Sequence, residues 1–398
     1  MLRSVPRRSP LATHHCATAF SHRDCLRAGL LGVLLLALAG TESVPASAAP
    51  SLPGAVTARC ATPAAFSAAR LAAASLVVPA DESDLAAVLP EVRAGVGGVL
   101  LLGSSAPADL ATELARLASA APGGVAPWVM LDEEGGAVQR LANLVGDLPA
   151  ARTLGASDSP TEIRALATTL GRRLRALGVT MDLAPVLDAD GGAGPNARDA
   201  DGTRSFSANP AVAAADGIAF AKGLLAGGVV PVVKHFPGLG GATGNTDLVV
   251  ASTKPWSLER ESGLVPFADA VRVGLPAVMV SVAGVPGLSS EPASLSAAVV
   301  GGELRHGLGF HGLVLSDSLS AVSVSGRGFT LARGAVATLA AGGDLVLYNA
   351  TVAGTQAVTT TLEQAIEGAL ATGRLQRSTL VAAAAESLRL RGVRSCSR

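Results

Sequence analysis

The chain of 398 residues has few aromatic side chains, few lysines and no excess of charge of either sign. Aromatic residues make up 3% of it, and Trp128, Trp256 and Tyr348 are its only Trp and Tyr. The formal net charge is zero, and the three lysines lie far apart among scattered arginines. Because nucleic-acid binding requires a basic patch, this pattern argues against a nucleic-acid partner. The apolar content of 49% is, by contrast, enough to bury a large core.

Long apolar runs are also lacking, except for one near the N-terminus. Arginines precede an apolar stretch from Ala28 to Gly40, and the small-x-small sequence Ala46-Ser47-Ala48 follows it. This order is typical of a secretory signal peptide, so residues 1–48 are predicted to be removed and residues 49–64 to lead into the fold. The stretch is too short to span a bilayer, although an uncleaved anchor is the alternative. We therefore expect a secreted or cell-envelope protein without stable membrane insertion.

Only four cysteines occur, and two of them, Cys16 and Cys25, lie in the predicted signal peptide. Cys60 and Cys396 remain at opposite ends of the mature chain. Export places them in an oxidising environment, which favours a disulfide between them. The alternative is two unpaired thiols near the chain ends.

Eight short apolar runs alternate with stretches of helical spacing along the chain. The predicted strands are Ala74–Val78, Val99–Leu102, Trp128–Leu131, Val179–Leu183, Val229–Val233, Ala277–Val280, Leu313–Leu315 and Leu345–Leu347. Predicted helices lie between and after them, at 108–118, 161–176, 210–225, 258–273, 331–340, 355–371 and 378–390. Strands that alternate with helices predict a parallel sheet in an α/β fold.

The positions of the polar residues favour a closed (β/α)₈ barrel over an open doubly wound sheet. A barrel carries functional groups at the carboxyl ends of many strands, whereas a doubly wound sheet gathers them at one switch point. Polar residues here follow four different predicted strands: Asp132 and Glu134, then Asp188, then Lys234 and His235, then Ser316 and Asp317. We therefore predict a single barrel domain at residues 65–398, closed by a C-terminal helix.

The segment from Lys234 to Asp247, KHFPGLGGATGNTD, carries the most specific signal. A lysine and a histidine directly after a buried strand are costly to bury in a core, which indicates a site. The segment resembles the signature of glycoside hydrolase family 3, in its single-domain β-N-acetylglucosaminidase branch, which reads KHFPGHG, four further residues and DSH. The resemblance implies that Lys234 and His235 bind adjacent sugar hydroxyls. Leu239 stands in place of the second histidine of that signature.

Two aspartates are the candidate catalytic residues. The stretch LVLSDSLSA resembles the family's SDDL or SDAL, which implies that Asp317 is the nucleophile; a helix N-cap is the alternative. The family's proton donor is a histidine, and Asp247 occupies its position. A carboxylic acid can transfer the same proton if the site raises its pKa. Otherwise Asp247 is a surface residue, and the donor is missing or is supplied by Glu133, Glu134 or a bound anion.

Three further segments resemble substrate-binding stretches of the family. WVMLDEEGGAVQRL is similar to VDQEGGRVQRL, which implies that Asp132 binds sugar hydroxyls and that Arg140 reaches into the site. An ion-pair or capping role is the alternative for Asp132. DGTRSFS implies that Arg204 donates to the sugar or its N-acetyl group, and VTMDLAPVLD implies that Asp188 orients Arg204 or Lys234.

The resemblance implies an exported glycosidase that removes terminal β-linked N-acetylhexosamine through a covalent intermediate on Asp317, with water as the second substrate. No cofactor is expected, and no catalytic metal, because His235 is the only histidine of the mature chain near the site. The few aromatic side chains favour one sugar in a pocket over a long polysaccharide, and we expect a monomer. A barrel that binds glycan without cleaving it, and a β-glucosidase or β-xylosidase, are the alternatives.

Overall fold

Parallel strands alternate with helices in the computed structural model, which describes residues 60–394 and residue 396. The strands are β1 (Leu76–Ala80), β2 (Gly98–Leu101), β3 (Trp128–Leu131), β4 (Met181–Asp182), β5 (Val230–Pro231), β6 (Val233–Phe236), β7 (Ala277–Val280), β8 (Gly284–Val285), β9 (Ser289–Pro292), β10 (Leu313–Ser316) and β11 (Val346–Leu347). The predicted signal peptide lies outside the described residues.

The α-helices are α1 (Ala68–Ala74), α2 (Leu89–Ala94), α3 (Leu110–Ser119), α4 (Ala142–Val145), α5 (Ala151–Ser157), α6 (Pro160–Leu177), α7 (Pro210–Gly227), α8 (Trp256–Glu259), α9 (Leu264–Arg272), α10 (Val322–Ser325), α11 (Leu331–Ala341), α12 (Thr355–Ala371) and α13 (Arg377–Leu390). A π-helix spans Ala298–Gly307. Single 3₁₀ turns lie at Pro63–Ala65, Leu85–Val88, Pro122–Gly124, Gly202–Arg204, Ala293–Leu295 and Val352–Gly354.

The strands form two parallel sheets and one small antiparallel hairpin. Six strands pair in the order β11-β1-β2-β3-β4-β5, three pair in the order β10-β7-β6, and β8 pairs with β9. Two isolated parallel bridges, Val186 to Lys234 and Leu315 to Leu345, lie beside these sheets. The predicted α/β class with a parallel sheet is confirmed.

Local signals in the sequence explain the two longest helices. Ser159 accepts a hydrogen bond from the backbone of Glu162, whose carboxylate accepts one from the backbone of Ser159, so a capping box begins α6. Gly178 ends the helix with a φ of 101°. A Cβ added to Gly227 of α7 would lie 2.7 Å from Cα of Gly171 in α6, so these glycines allow the two helices to pack closely.

The strands of the two parallel sheets are buried on both faces, as expected for a parallel sheet covered by helices. One apolar cluster combines side chains from strands of both parallel sheets, including Leu100, Met130, Met279 and Leu315. A second, larger cluster packs the opposite face of β1, β2 and β3 against the surrounding helices. The described residues belong to one compact unit, and no helix among them combines the length and apolar character that a membrane crossing requires.

Three parts of this architecture differ from the sequence prediction. The fifth predicted strand is interrupted at Val232, and Lys234 and His235 lie within β6 rather than after it. Carboxylates from the segments after β3 and β4 pair with these buried groups, so Lys234 and His235 do not end the strand. The hairpin of β8 and β9 and the π-helix were not predicted, because their short stretches carry no clear period.

The predicted disulfide between Cys60 and Cys396 is present, with a Cα to Cα distance of 4.7 Å. It joins positions 336 residues apart, beside the parallel bridge from Cys60 to Arg394. Nearby, Ser387 of α13 accepts a hydrogen bond from Trp128 at the first residue of β3. The helix that precedes Cys396 therefore packs at the amino end of β3.

The free energy of unfolding of the Cys60→Ser variant is expected to be about 2–5 kcal/mol lower than that of the native protein, because the unfolded chain without the disulfide has more conformations. Thermal unfolding followed by circular dichroism measures this loss as a lower Tm. Cys396→Ser and the double variant should give the same Tm, since one substitution already breaks the bond. A double variant markedly less stable than either single one would show that the cysteines contribute by packing instead.

Candidate active site

A pocket of about 270 Å³ opens at the carboxyl ends of the strands. Pockets for drug-sized ligands usually measure about 300–1,000 Å³, so this volume suits a single sugar residue. The structure brings together all seven side chains that the sequence predicted for the site, and all of them line this pocket: Asp132, Arg140, Arg204, Lys234, His235, Asp247 and Asp317.

Lys234 is held in the pocket floor by two carboxylates. Its Nζ lies 2.5 Å from Oδ1 of Asp132 and 2.6 Å from Oε1 of Glu134, and its side chain is 2% exposed. Burial disfavours its charge, but the two carboxylates outweigh burial and raise the pKa of Lys234. The lysine is therefore a permanent cation that orients Asp132, which is itself 18% exposed toward the pocket.

Glu134 connects Lys234 to Arg204. The Arg204 guanidinium donates to Glu134 through Nε at 2.7 Å and through Nη2 at 2.8 Å, a bidentate geometry. Burial alone would raise the pKa of Glu134, but Arg204 and Lys234 hold it well below its usual range. Arg204 also donates to the Ala200 carbonyl, so protein groups occupy most of its donors. Its predicted contact with the sugar or the N-acetyl group stays a prediction.

His235 is oriented by Asp188, and this corrects the prediction that Asp188 orients Arg204 or Lys234. Asp188 Oδ2 lies 2.6 Å from Nδ1 of His235 and accepts from its backbone N–H, while Oδ1 accepts from the backbone of Leu239. The prediction was wrong because β6 continues through His235, which places the imidazole and not a cation against this carboxylate.

The imidazole of His235 is neutral near pH 7. Burial, together with the nearby Arg204 charge, lowers the pKa of His235 to about 4. We assign the proton to Nδ1, which faces Asp188, and this leaves the Nε2 lone pair directed at Arg204 Nη2, 3.4 Å away. Burial raises the pKa of Asp188 to about 7, while its backbone hydrogen bonds oppose the rise.

Asp317 follows β10 directly and faces the pocket. Its backbone N–H donates to the Val280 carbonyl at 2.8 Å, and its Oδ1 accepts from the Ser318 backbone at 2.7 Å. Burial raises the pKa of Asp317 and the Asp247 charge adds to this rise, whereas the hydrogen bond from the Ser318 backbone and the Lys234 charge oppose it. The two aspartates are therefore close enough to interact electrostatically across one pocket.

Asp247 lies in a single turn at the mouth of the pocket. Asn245 caps this turn, since its Oδ1 accepts from the Asp247 backbone at 3.0 Å. The turn is held against α10, the short helix after β10, because Ser323 donates its backbone N–H to the Thr246 carbonyl. Burial raises the pKa of Asp247; Arg204 opposes the rise, and the Asp132 carboxylate adds to it.

The other carboxylates offered as proton donors do not fit that role. Glu133 points away from the pocket and accepts hydrogen bonds from the backbones of Arg140 and Leu141 and from Gln139. Glu134 is ionised by its two cationic partners and has no proton to give. These two alternatives are therefore wrong.

Arg140 reaches the pocket from the turn after β3. Gly135 and Gly136 form that turn with φ of 91° and 57°, and a Cβ on Gly135 would lie 2.4 Å from the Pro149 carbonyl. Among the described residues, the buried Nε of Arg140 has no hydrogen-bond partner. Arg140 therefore keeps a donor available for a ligand.

Three ligand atoms from Asp188, Asp201 and His235 lie within 4.8 Å of one another, which is close enough for a metal ion. The Arg204 guanidinium, however, is 3.8 Å from Oδ1 of Asp201 and 3.4 Å from Nε2 of His235. A divalent cation would be repelled by this fixed positive charge. The arrangement fits an imidazole that Asp188 orients beside a fixed cation better than a metal centre.

Sequence reasoning missed Asp201, which is 1% exposed behind His235. Both of its oxygens lack a hydrogen-bond partner among the described residues, and burial, strengthened by the Asp188 charge, raises its pKa. Its position directly before Gly202-Thr203-Arg204 was the available signal. Nothing in its residue type distinguished it from Asp190 and Asp199 of the same loop.

Asp188→Asn is expected to lower kcat/KM about 10- to 100-fold. Asp188 accepts from the backbone and the Nδ1 of His235 and from the backbone of Leu239, and the amide nitrogen of asparagine would face at least one of these donors. Each hydrogen bond lost in this way costs about 1–3 kcal/mol. Steady-state kinetics measure the loss, and Asp216→Asn, a buried carboxyl of α7 outside the pocket, is the matched control. A lower Tm with unchanged kcat/KM would mean that Asp188 only stabilises the fold.

Comparison with known proteins agrees with this site. The glycosyl hydrolase family 3 N-terminal domain matches residues 73–390, so the chain belongs to that family. A beta-hexosaminidase of Mycobacterium tuberculosis, LpqI, is 38% identical over 85% of this chain and 89% of its own length.

Solved structures extend the likeness to the fold. A family 3 glycosyl hydrolase from Mycobacterium smegmatis has a TM-score of 0.72 and 37% identity, covering 84% of this chain and 99% of its own. A β-N-acetylhexosaminidase from Beutenbergia cavernae has a TM-score of 0.74 and 30% identity, covering 82% and 99%.

Proposed function

We propose that this protein is a β-N-acetylhexosaminidase that hydrolyses terminal β-linked N-acetylhexosamine. The observation that carries the proposal is that Asp317 and Asp247 both line one pocket of single-sugar size. The relatives named as hexosaminidases support the choice of sugar. A β-glucosidase or β-xylosidase would use the same pair of carboxylates, so the rates on the three corresponding nitrophenyl glycosides separate these activities.

The mechanism is a double displacement. Ionised Asp317 attacks the anomeric carbon while the glycosidic bond breaks, and protonated Asp247 gives its proton to the departing oxygen. Asp247, now ionised, then takes a proton from water, whose oxygen attacks the same carbon and releases the sugar from Asp317. The two steps restore both carboxyl groups and retain the β configuration.

The remaining pocket residues bind the sugar and hold the site in shape. Asp132 is fixed by Lys234 and accepts hydrogen bonds from sugar hydroxyls, while His235 and Arg140 line the pocket beside it. Arg204 acts chiefly on Glu134 and His235. The charged network keeps these groups in place before substrate enters, so little ordering remains to be done on binding.

We propose further that the two parallel sheets form one closed (β/α)₈ barrel at residues 65–398. Two observations support closure. The chain passes from β5 into β6 through the single residue Val232, and the bridge from Leu315 to Leu345 links β10 to the residue before β11. A crystal structure with β10 and β11 separated would contradict this.

We also propose that the protein is exported and acts as a monomer. The arginine-rich leader with its Ala46-Ser47-Ala48 sequence and the disulfide between Cys60 and Cys396 support export. One chain supplies all the predicted site residues, so the pocket needs no second subunit. Cell fractionation with mass spectrometry of the N-terminus tests export; an intact residue 1 on a cytosolic protein would contradict it.

The proposed activity predicts a strict order of substrates. 4-Nitrophenyl β-N-acetylglucosaminide should be hydrolysed at least about 100-fold faster, by kcat/KM, than the matching β-glucoside or β-xyloside, because a site built around an amide substituent is left unsatisfied without it. Release of nitrophenol measures all three rates. Faster hydrolysis of the glucoside or xyloside would replace the proposed sugar, and binding of N-acetylglucosamine without any turnover would favour the glycan-binding alternative.

A further inference from the structure

Exposed aliphatic side chains gather beside the proposed acid. Of the seven large apolar side chains exposed among the described residues, four lie in this region: Leu248, Val249, Val250 and Val322. We call these four residues the apolar rim. Leu248 is the most exposed of them, at 57%. Exposed aliphatic groups occur singly on most proteins, so the concentration of four of them in two segments next to Asp247 indicates a binding role.

The apolar rim is built from two segments that the structure joins. The Val322 backbone donates to the carbonyl of Asp247, and Leu248 follows Asp247 in the chain. Val250 packs against the end of the short helix that carries Val322, since a Cβ added to Gly326 would lie 2.3 Å from Cγ2 of Val250. Gly326 in turn donates its N–H to the Val322 carbonyl. These contacts therefore join the segment that follows Asp247 to α10, directly beside the proposed acid.

The position of the acid defines which part of a substrate meets this patch. Asp247 must reach the glycosidic oxygen, so the leaving group extends from Asp247 toward solvent. The pocket lining includes the charged groups that suit a sugar, whereas Leu248, Val249 and Val250, which follow Asp247 in the chain, are aliphatic and exposed. A hydroxyl-rich leaving group would find few hydrogen-bond partners on these side chains.

We propose that the apolar rim binds an apolar leaving group, an alkyl, acyl or aryl substituent attached through the glycosidic oxygen. This inference rests on the proposed function and specifies its substrate class. Val322 and Leu248 would each lose water on contact with such a group. Because the rim is open on one side, each added methylene should increase kcat/KM about twofold, roughly half the logarithmic gain of a fully buried methylene.

The test uses alkyl β-N-acetylglucosaminides from ethyl to octyl with the full chain. These leaving alcohols have nearly the same acidity, so chain length changes binding and not the chemical step. The native protein should show an octyl to ethyl ratio of kcat/KM of about 30 or more, and Leu248→Ser should reduce the ratio at least about threefold. Leu258→Ser, which removes an equally exposed leucine from α8, should leave both the ratio and the rates unchanged.

Three outcomes would overturn the inference. If kcat/KM of the native protein does not change with alkyl chain length, the apolar rim does not bind the leaving group, while the proposed function stands. A dimer in light scattering that Leu248→Ser dissociates would make the rim a subunit contact, and vesicle binding lost in Leu248→Ser with a flat series would make it a lipid contact. Failure to hydrolyse any of these glycosides or the nitrophenyl glycoside removes the proposed function and the inference together.

Discussion

The Asp317→Asn variant is expected to hydrolyse 4-nitrophenyl β-N-acetylglucosaminide about 10⁴-fold or more slowly than the native protein. An amide cannot form the glycosyl ester, and losing the nucleophile of a covalent mechanism has effects of this order in other enzymes. The fold should persist, because asparagine has the same shape and its oxygen can still accept from the Ser318 backbone. Initial rates measured at high protein concentration give the loss in kcat/KM.

The matched control for this variant is Asp216→Asn, which neutralises a buried carboxyl of α7 that does not line the pocket. It should keep kcat/KM within a few fold of the native value. Circular dichroism and Tm of both variants show that each is folded. A folded Asp317→Asn protein with more than a tenth of the native activity would place the nucleophile elsewhere.

The Asp247→Ala variant should lose activity according to the leaving group of the substrate. A phenyl glycoside, whose oxygen needs a proton, should lose about 10²- to 10⁴-fold in kcat/KM. A 2,4-dinitrophenyl glycoside, whose leaving group departs as an anion, should lose less than about tenfold, because general acid assistance adds little to that step. The measurement is kcat/KM across a series of aryl leaving groups.

Two further results belong to the same variant. In the native protein, activity should fall as pH rises through the raised pKa of Asp247, since only the protonated carboxyl donates, and Asp247→Ala should lack this alkaline limb. Added azide should restore turnover and yield a β-glycosyl azide, because it attacks the intermediate without base assistance. An equal loss for every leaving group, with the alkaline limb unchanged, would move the acid to another residue.

The sequence predicted the site better than it predicted the interactions within it. All seven candidate side chains line one pocket, because residues that follow parallel strands meet at one edge of the sheets. Their partners depend on tertiary distances that residue spacing does not contain. Asp188 contacts His235 across 47 positions of sequence, and Glu134 contacts Arg204 across 70.

The loop between β4 and α7 shows the same limit. Its shape depends on carboxylates that cap its own backbone, with Asp190 accepting from Gly202 and Asp199 accepting from Gly194. These bonds bury Asp201 behind His235, although the segment is rich in glycine and aspartate and looks like an exposed turn in the sequence. The sequence showed that Asp247 stands where the family has a histidine. The raised pKa that makes this aspartate a usable acid depends on the folded pocket.

The most direct test of the account is mass spectrometry after incubation with a 5-fluoro N-acetylglucosaminyl fluoride, which slows breakdown of a glycosyl intermediate and keeps the acetamido group. Trypsin releases residues 306–327, in which Asp317 is the only side-chain carboxylate. If Asp317 is the nucleophile, this peptide carries a covalent sugar in the native protein and none in Asp317→Asn. A sugar on another peptide, or turnover with retained configuration and no adduct, would contradict Asp317 as the nucleophile.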